Sequence, residues 1–115
     1  MKLLMHVLKE NKKLDIDNTN ASLQDIRKKL FEEFGEVVQA ITDYSRDKTL
    51  NNLKEIIRET FDLIQMCILV LWKCHTQALN FEESNLIQEI NIEHKDKLIG
   101  RGWIIQTGIE IDIKE

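Results

Sequence analysis

The chain has 115 residues, a formal net charge of −4, no proline and only four glycines. This length suits one domain with one buried core, since two independent cores would need a longer chain. With 43% hydrophobic residues, the composition excludes a disordered or collagen-like chain and argues against a loop-rich β-sandwich. The acidic balance gives no overall electrostatic reason to bind nucleic acid. We therefore expect a single domain over residues 1–115, mainly helical, that does not bind nucleic acid.

The cysteines and the apolar segments bear on the cellular compartment. Cys67 and Cys74 do not make a disulfide framework, and we interpret them as a buried thiol pair on one helical face rather than as metal ligands. Residues 1–10 lack the long apolar stretch and cleavage site of a secretory signal. The densest apolar run, 63–72, is far shorter than the ~20 residues that span a bilayer. We expect a cytoplasmic protein without a membrane segment.

Hydrophobic periodicity predicts four helical stretches and a tail. The first stretch covers about 1–13. The second begins near Asn20 or Ser22, where Ser22 and Asp25 have capping-box spacing, and continues to about Arg46. Its apolar side chains recur at spacings of three and four and form one stripe: Leu23, Ile26, Leu30, Phe34, Val37 and Ile41.

The third predicted helix extends from about Thr49 into residues 74–78. It becomes apolar nearly all round, so we expect neighbouring helices or a second subunit to enclose it. The fourth helix is predicted to be capped by Asn80, with Glu83 three residues on.

A glycine, Gly100 or Gly102, is predicted to end the fourth helix. In the tail, residues 104–115, Ile109 and its isoleucine neighbours alternate with charged residues, which is the period of a strand with one buried face. Such a strand would pair with another subunit's tail; the alternative is an ordered arm.

Two acidic clusters mark the two longest predicted helices. Residues three apart lie on one side of a helix, so Glu33 pairs with Glu36 and Glu59 pairs with Asp62. If the helices pack antiparallel, the four carboxylates can converge; otherwise they are solvated side chains. Asp62 directly precedes the apolar run, where a carboxylate must be paired, hydrogen-bonded, protonated or bound to a cation.

Crowded carboxylates repel one another unless a divalent ion neutralises them. All-oxygen ligation favours Mg²⁺, with Mn²⁺ as the alternative, over zinc. Because Mg²⁺ commonly shares its coordination with substrate phosphates, the acidic clusters predict nucleotide chemistry. The spacing leaves the number of ions open.

A basic segment near the end of the fourth helix supplies a third component. His94, Lys97 and Arg101 fall on one helical face, and the lysine and arginine can reach phosphate oxygens. Ordinary compensation of the helix dipole is the alternative interpretation. We interpret Trp103 as a core residue, with stacking on a base as the other option.

This combination resembles the MazG-like family of the all-α nucleoside triphosphate pyrophosphohydrolases. Their Glu-Glu-x-x-Glu and Glu-x-x-Asp segments match Glu32-Glu33-Phe34-Gly35-Glu36 and Glu59-Thr60-Phe61-Asp62, which are separated by 22 residues. The stretch from His94 to Trp103 is similar to the basic segment of small members. The resemblance covers about residues 22–103 and leaves the tail unexplained.

The resemblance implies a four-helix bundle that hydrolyses a (deoxy)nucleoside triphosphate between its α and β phosphates, with Mg²⁺, in nucleotide-pool housecleaning. It implies a homodimer or homotetramer whose active sites lie near subunit interfaces. The implied metal ligands are Glu33, Glu36, Glu59 and Asp62. Glu32 or Glu36 would orient or deprotonate the attacking water, while Lys97 and Arg101 would hold phosphate oxygens.

Two other functions compete with this expectation. One is a helical bundle without catalytic activity that binds a partner protein or a nucleotide. The other stays within the superfamily and is hydrolysis of phosphoribosyl-ATP, although the segment from His94 to Trp103 looks more like the MazG side. The preference for base and sugar is not predictable from these spacings.

Overall fold

The computed structural model describes residues 1–15 and 21–112, and its regular structure there is helical. It contains α1 (Leu23–Arg46), α2 (Leu50–Ala78) and α3 (Leu86–Gly100), with a short 3₁₀ turn, Leu79–Phe81, between the last two. The described residues contain no β-strand. The all-α class is therefore confirmed, whereas a four-helix bundle is not, since the described part of the chain contains three α-helices.

The chain divides into two compact units, Met1–Val70 and Leu71–Glu115, and the boundary falls inside α2. The first unit contains α1 and most of α2, and the second contains the end of α2 and all of α3. Within the described residues, no helix is both long and apolar enough to cross a membrane. The organisation of residues 1–115 as a single domain stays a prediction.

The prediction of a first helix at residues 1–13 is wrong. Residues 1–10 adopt no helix, and a turn follows at residues 12–15. Leu4 remains 84% exposed, so this short segment lacks the tertiary packing that usually stabilises a short helix. The segment is held to α2 by the Gln65 Nε2 group, which donates to the carbonyl oxygen of His6 at 2.8 Å.

The start of α1 follows the predicted capping box. The backbone N–H of Asp25 donates to Ser22 Oγ at 3.1 Å, and the Ser22 backbone N–H donates to Asp25 Oδ2 at 3.3 Å. Both bonds satisfy donors that the first helical turn leaves without partners. Asn20, the other predicted start, lies outside the described residues.

A three-residue turn, 47–49, joins α1 to α2, so the two helices form an antiparallel hairpin. Near the turn, Asp43 on α1 and Asn52 on α2 line the same groove. Far from the turn, Ile26 on α1 and Met66 on α2 line the same cavity. The two helices therefore lie side by side along their length. Ile26 is 2% exposed and Met66 is 8% exposed. The core of the first unit therefore lies along this helix–helix contact.

The predicted apolar stripe of α1 is only partly buried. Ile26 is buried and Leu30 and Val37 are half-buried, but Phe34 and Ile41 are about half exposed. A single partner helix covers a narrower sector than a stripe of this width, so the side chains at its edge stay uncovered. The hairpin consequently presents an apolar face, which we define by Phe31, Phe34, Val38 and Ile41 on α1 with Leu53 and Ile57 on α2.

In the second unit, α3 ends as predicted at a glycine. Gly102 has a positive φ of 90°, and its N–H donates to the Ile99 carbonyl, while the N–H of Trp103 donates to the Leu98 carbonyl. These two bonds are the Schellman arrangement, in which glycine tolerates the left-handed backbone without a Cβ penalty.

The predicted start of the fourth helix is wrong. Asn80 lies within the 3₁₀ turn, and Glu82 follows it in the left-handed conformation with φ of 60°. The helix begins after Asn85, whose side chain makes no capping hydrogen bond. The predicted strand in the tail is not formed at residues 103–112, and residues 113–115 lie outside the described part.

Candidate metal centre

Three of the four predicted metal ligands converge across the hairpin. Glu33 comes from the middle of α1, and Glu59 and Asp62 come from one face of α2. Each offers one carboxylate oxygen, and these three oxygens lie within 4.8 Å of one another. The antiparallel packing brings the two clusters to the same level, so we call Glu33, Glu59 and Asp62 the carboxylate triad.

Two oxygens of this triad are buried without a hydrogen-bond partner. They are Glu33 Oε2 and Glu59 Oε2, each on a half-buried side chain. Ion pairs among the described residues join Lys12 to Glu10 and Arg58 to Glu55, so no pair of this kind reaches the triad. A buried carboxylate oxygen without a partner is costly, because it has lost water and gained no donor.

The pKa values of the two half-buried glutamates reflect this crowding. The pKa of Glu33 is raised, first because its carboxylate is desolvated and then because the charges of Glu36 and Asp62 lie close. The pKa of Glu59 is also raised, first by a hydrogen bond with Glu36 that requires a proton, and then by desolvation. Both carboxyls therefore hold a proton more tightly than a free glutamate does.

Asp62 is more exposed than its sequence position suggested. We expected a carboxylate enclosed by the adjacent apolar run, but the side chain of Asp62 is exposed. In a helix, sequence neighbours point in different directions, so Met66 and Ile68 can be buried while Asp62 faces outward. The buried oxygens that lack a partner therefore belong to Glu33 and Glu59, while Asp62 contributes an exposed carboxylate to the triad.

The two predicted catalytic glutamates occupy different positions. Glu36 is exposed but is close enough to both Glu33 and Glu59 to contribute to the raised pKa of each. Glu32 is exposed and is the last of the causes that raise the pKa of Glu33. Glu36 is therefore the better placed of the two to act at the triad.

A groove of about 190 Å³ adjoins the triad on the side of the 47–49 turn. It shares Glu36 and Glu59 with the carboxylate cluster and has Ala40, which is 6% exposed, in its lining. Its remaining lining residues are Gln39, Asp43, Asn52 and Glu55. These four residues were not among the predicted site residues, although Gln39 and Asp43 follow Glu36 at helical spacings of three and seven.

The predicted phosphate-binding residues belong to the second unit. Lys97 lies in the last turn of α3, and Arg101 follows the helix as its C-cap; both side chains are exposed. Trp103 is 68% exposed, so the interpretation as a core residue is wrong. His94 is also on α3 and exposed.

The two cysteines do not form the predicted buried pair. Cys67 is exposed and Cys74 is half-buried, and both are free thiols.

The carboxylate triad is the one group of potential metal ligands that converges in this way within the described residues. Its oxygen-only donor set suits a hard divalent cation such as Mg²⁺ rather than zinc. Comparisons of the chain with family models, with curated proteins and with solved structures find no match.

Proposed function

We propose that the protein is a nucleoside triphosphate pyrophosphohydrolase that requires Mg²⁺ or Mn²⁺ and is related to the MazG-like family. It would cleave between the α and β phosphates and release a nucleoside monophosphate and pyrophosphate. The observation that carries the proposal is the carboxylate triad, Glu33, Glu59 and Asp62, whose oxygens approach within 4.8 Å. The matching acidic segments and their spacing supply independent support from the sequence.

The triad fits a hard divalent cation on chemical grounds. The carboxylates of Glu33 and Glu59 each have a buried oxygen without a donor, and a cation held by these carboxylates would compensate their buried charge. It would also offset the desolvation, and the repulsion from Glu36 and Asp62, that contribute to the raised pKa values of Glu33 and Glu59. When bound, such a cation supplies positive charge against phosphate oxygens and makes water more acidic.

The proposed activity assigns the remaining roles to other side chains of the chain. Glu33, Glu59 and Asp62 would hold the cation. Glu36 lies beside two of them and would accept a proton from the attacking water. Glu32 is the alternative base. Lys97 and Arg101 would hold phosphate oxygens, the lysine as a point charge and the arginine through two parallel hydrogen bonds.

The decisive experiment measures pyrophosphate release from a panel of nucleoside triphosphates and phosphoribosyl-ATP, with Mg²⁺ and with a chelator. It compares the parent with Glu59→Gln, which keeps the side-chain size but removes the charge. Glu93→Gln is the matched control, because Glu93 is an exposed glutamate on α3. We expect release that depends on Mg²⁺, is retained in the control and is lost in Glu59→Gln. Equal rates in all three proteins would disprove the role of the triad.

We further propose that the chain forms a homo-oligomer through its apolar face. The face includes Phe31 at 76% exposure and Phe34 at 56%. On α1 its side chains recur at spacings of three, four and three, which is the spacing of a helix seam that packs against another helix. Burying such a face against a second copy would remove large apolar side chains from water.

The same face supports the second candidate function, a helical bundle without catalytic activity that binds a partner protein. That function would use the apolar face and would not need the triad. The pyrophosphate assay separates the two proposals, since a folded protein that releases pyrophosphate from no member of the panel would favour the binding protein.

A further inference from the structure

The amino-terminal segment, residues 1–14, carries a charge opposite to that of the chain as a whole. It contains four lysines and one acidic residue, Glu10, whereas the chain has a net charge of −4. The four lysine side chains are exposed, and they belong to Lys2, Lys9, Lys12 and Lys13. Charges more than about 8 Å away are largely screened at physiological ionic strength. An anionic surface that touches this segment therefore meets a local positive charge.

The same segment leaves large apolar side chains in water. Leu4 is 84% exposed and Leu8 is 58% exposed, and Leu3 and Val7 are exposed as well. One contact with α2 is the hydrogen bond from Gln65 Nε2 to the carbonyl oxygen of His6. This bond occupies one backbone oxygen and leaves the leucine side chains uncovered. The segment thus combines a basic patch with apolar groups that are open to a partner.

A helix would sort these two kinds of side chain onto separate faces. At 100° per residue, the apolar side chains of residues 1–10 fall in a sector of about 200°, and the polar side chains fall in a separate sector of about 100°. Lys13 falls in the polar sector and Leu14 in the apolar sector, while Asn11 and Lys12 depart from the pattern. Residues 1–10 form no helix in this structure, because so short a helix is marginal in water without packing. A partner that covers the apolar sector would supply that packing.

We propose that the amino-terminal segment binds the surface of an anionic lipid membrane as an amphipathic helix. The apolar sector enters the boundary between headgroups and acyl chains, and the lysines reach lipid phosphates. A helix over residues 1–14 is about 21 Å long, which is shorter than the ~30 Å hydrocarbon core, so it lies on the membrane and does not span it. The inference does not depend on the proposed enzymatic function.

The pairing of apolar and basic side chains favours a lipid surface over other partners. A nucleic acid would engage the lysines and leave Leu4 and Leu8 in water, whereas an uncharged protein groove would engage the leucines and leave the lysines without partners. Helix formation would also give the His6 carbonyl a new donor, the backbone N–H of Glu10 four residues on. The hydrogen bond from Gln65 is therefore exchanged rather than lost without replacement.

The test is co-sedimentation of the full chain with vesicles of phosphatidylcholine alone or with one quarter phosphatidylglycerol. We expect binding to be at least about tenfold tighter with the anionic lipid, since each lysine near such a surface contributes to the attraction. Circular dichroism should show a gain of helix when the anionic vesicles are added. Lys9→Gln combined with Lys13→Gln should weaken binding to the anionic vesicles.

A charge placed in the apolar sector should abolish binding. Leu4→Asp combined with Leu8→Asp is this variant, and Ile104→Asp combined with Ile109→Asp is the matched control, because all four side chains are exposed and lie outside the helices. Melting temperatures without vesicles confirm that each variant is folded. Equal binding by both aspartate variants, equal binding to both vesicle types, or binding without a gain of helix would overturn the proposal. Absence of vesicle binding by the folded parent would overturn it as well.

Discussion

Glu33 on α1 and Glu59 on α2 face each other across the hairpin, and each has one buried oxygen without a hydrogen-bond partner. One oxygen from each of these side chains and one from Asp62 lie within 4.8 Å of one another. A fold that brings like charges together gives up stability unless something neutralises them. This relationship leads to three predictions, and the apolar face leads to a fourth.

Replacing Glu59 by glutamine should stabilise the protein at neutral pH when no divalent cation is present. The folded-state pKa of Glu59 is raised above that of an unfolded glutamate, about 4.3. The folded state therefore binds more protons than the unfolded state between these two values, and the free energy of unfolding falls as pH rises through them. Glu59→Gln removes this pH-dependent loss of stability, because glutamine does not ionise.

The measurement is the melting temperature of parent and Glu59→Gln in a chelating buffer, taken across a pH series. The variant should melt above the parent at pH 7, and the difference should shrink toward pH 4, where the parent glutamate is protonated. A variant that melts below the parent at every pH would show instead that the Glu59 carboxylate stabilises the fold.

Mg²⁺ or Mn²⁺ should raise the melting temperature of the parent. A ligand that binds only the folded state stabilises it by about 2.7 kcal/mol when present at a hundredfold its Kd. Asp62→Asn should abolish most of the shift, since it removes one of the three converging oxygens. Asp62 is exposed, so the variant should still fold. Equal shifts in parent and variant would exclude the triad as the binding site.

Glu36 should matter more for turnover than Glu32. Glu36→Gln removes the carboxyl that contributes to the raised pKa values of both Glu33 and Glu59, so we expect kcat to fall by about 10²–10⁴, the usual contribution of a general base. Glu32→Gln should cause a much smaller loss. Steady-state kinetics at saturating Mg²⁺ measures both variants, and a larger loss in Glu32→Gln would reverse the assignment.

Phe34→Asp should convert the oligomer to a monomer. Phe34 is 56% exposed within one chain, so the substitution places a charge on the apolar face without opening the hairpin core. Leu14→Asp is the matched control, because Leu14 is 67% exposed in the amino-terminal segment. Light scattering at micromolar concentration gives the mass of each protein. A parent protein that is already monomeric would end the homo-oligomer proposal.

Local features of the fold were predictable from the sequence. The capping box of Ser22 and Asp25 marks the start of α1, and Gly102 supplies the left-handed residue after α3. Both depend on hydrogen bonds within a few residues, so the chemistry of the segment is enough to predict them. The wrong predictions at residues 1–13 and at Asn80 depend on contacts outside the segment. Capping residues and periodicity do not show whether a short segment finds packing partners.

The candidate site also has features that depend on local spacing and features that depend on tertiary packing. The sequence by itself determined that two pairs of carboxylates lie on single faces of two long helices, since helical spacing is a local property. Only the tertiary structure decided that Glu33 and Glu59, rather than Asp62, have the buried oxygens, and that a groove lined by polar side chains begins beside them. Burial depends on the side from which the second helix approaches, and neither helix determines that direction alone.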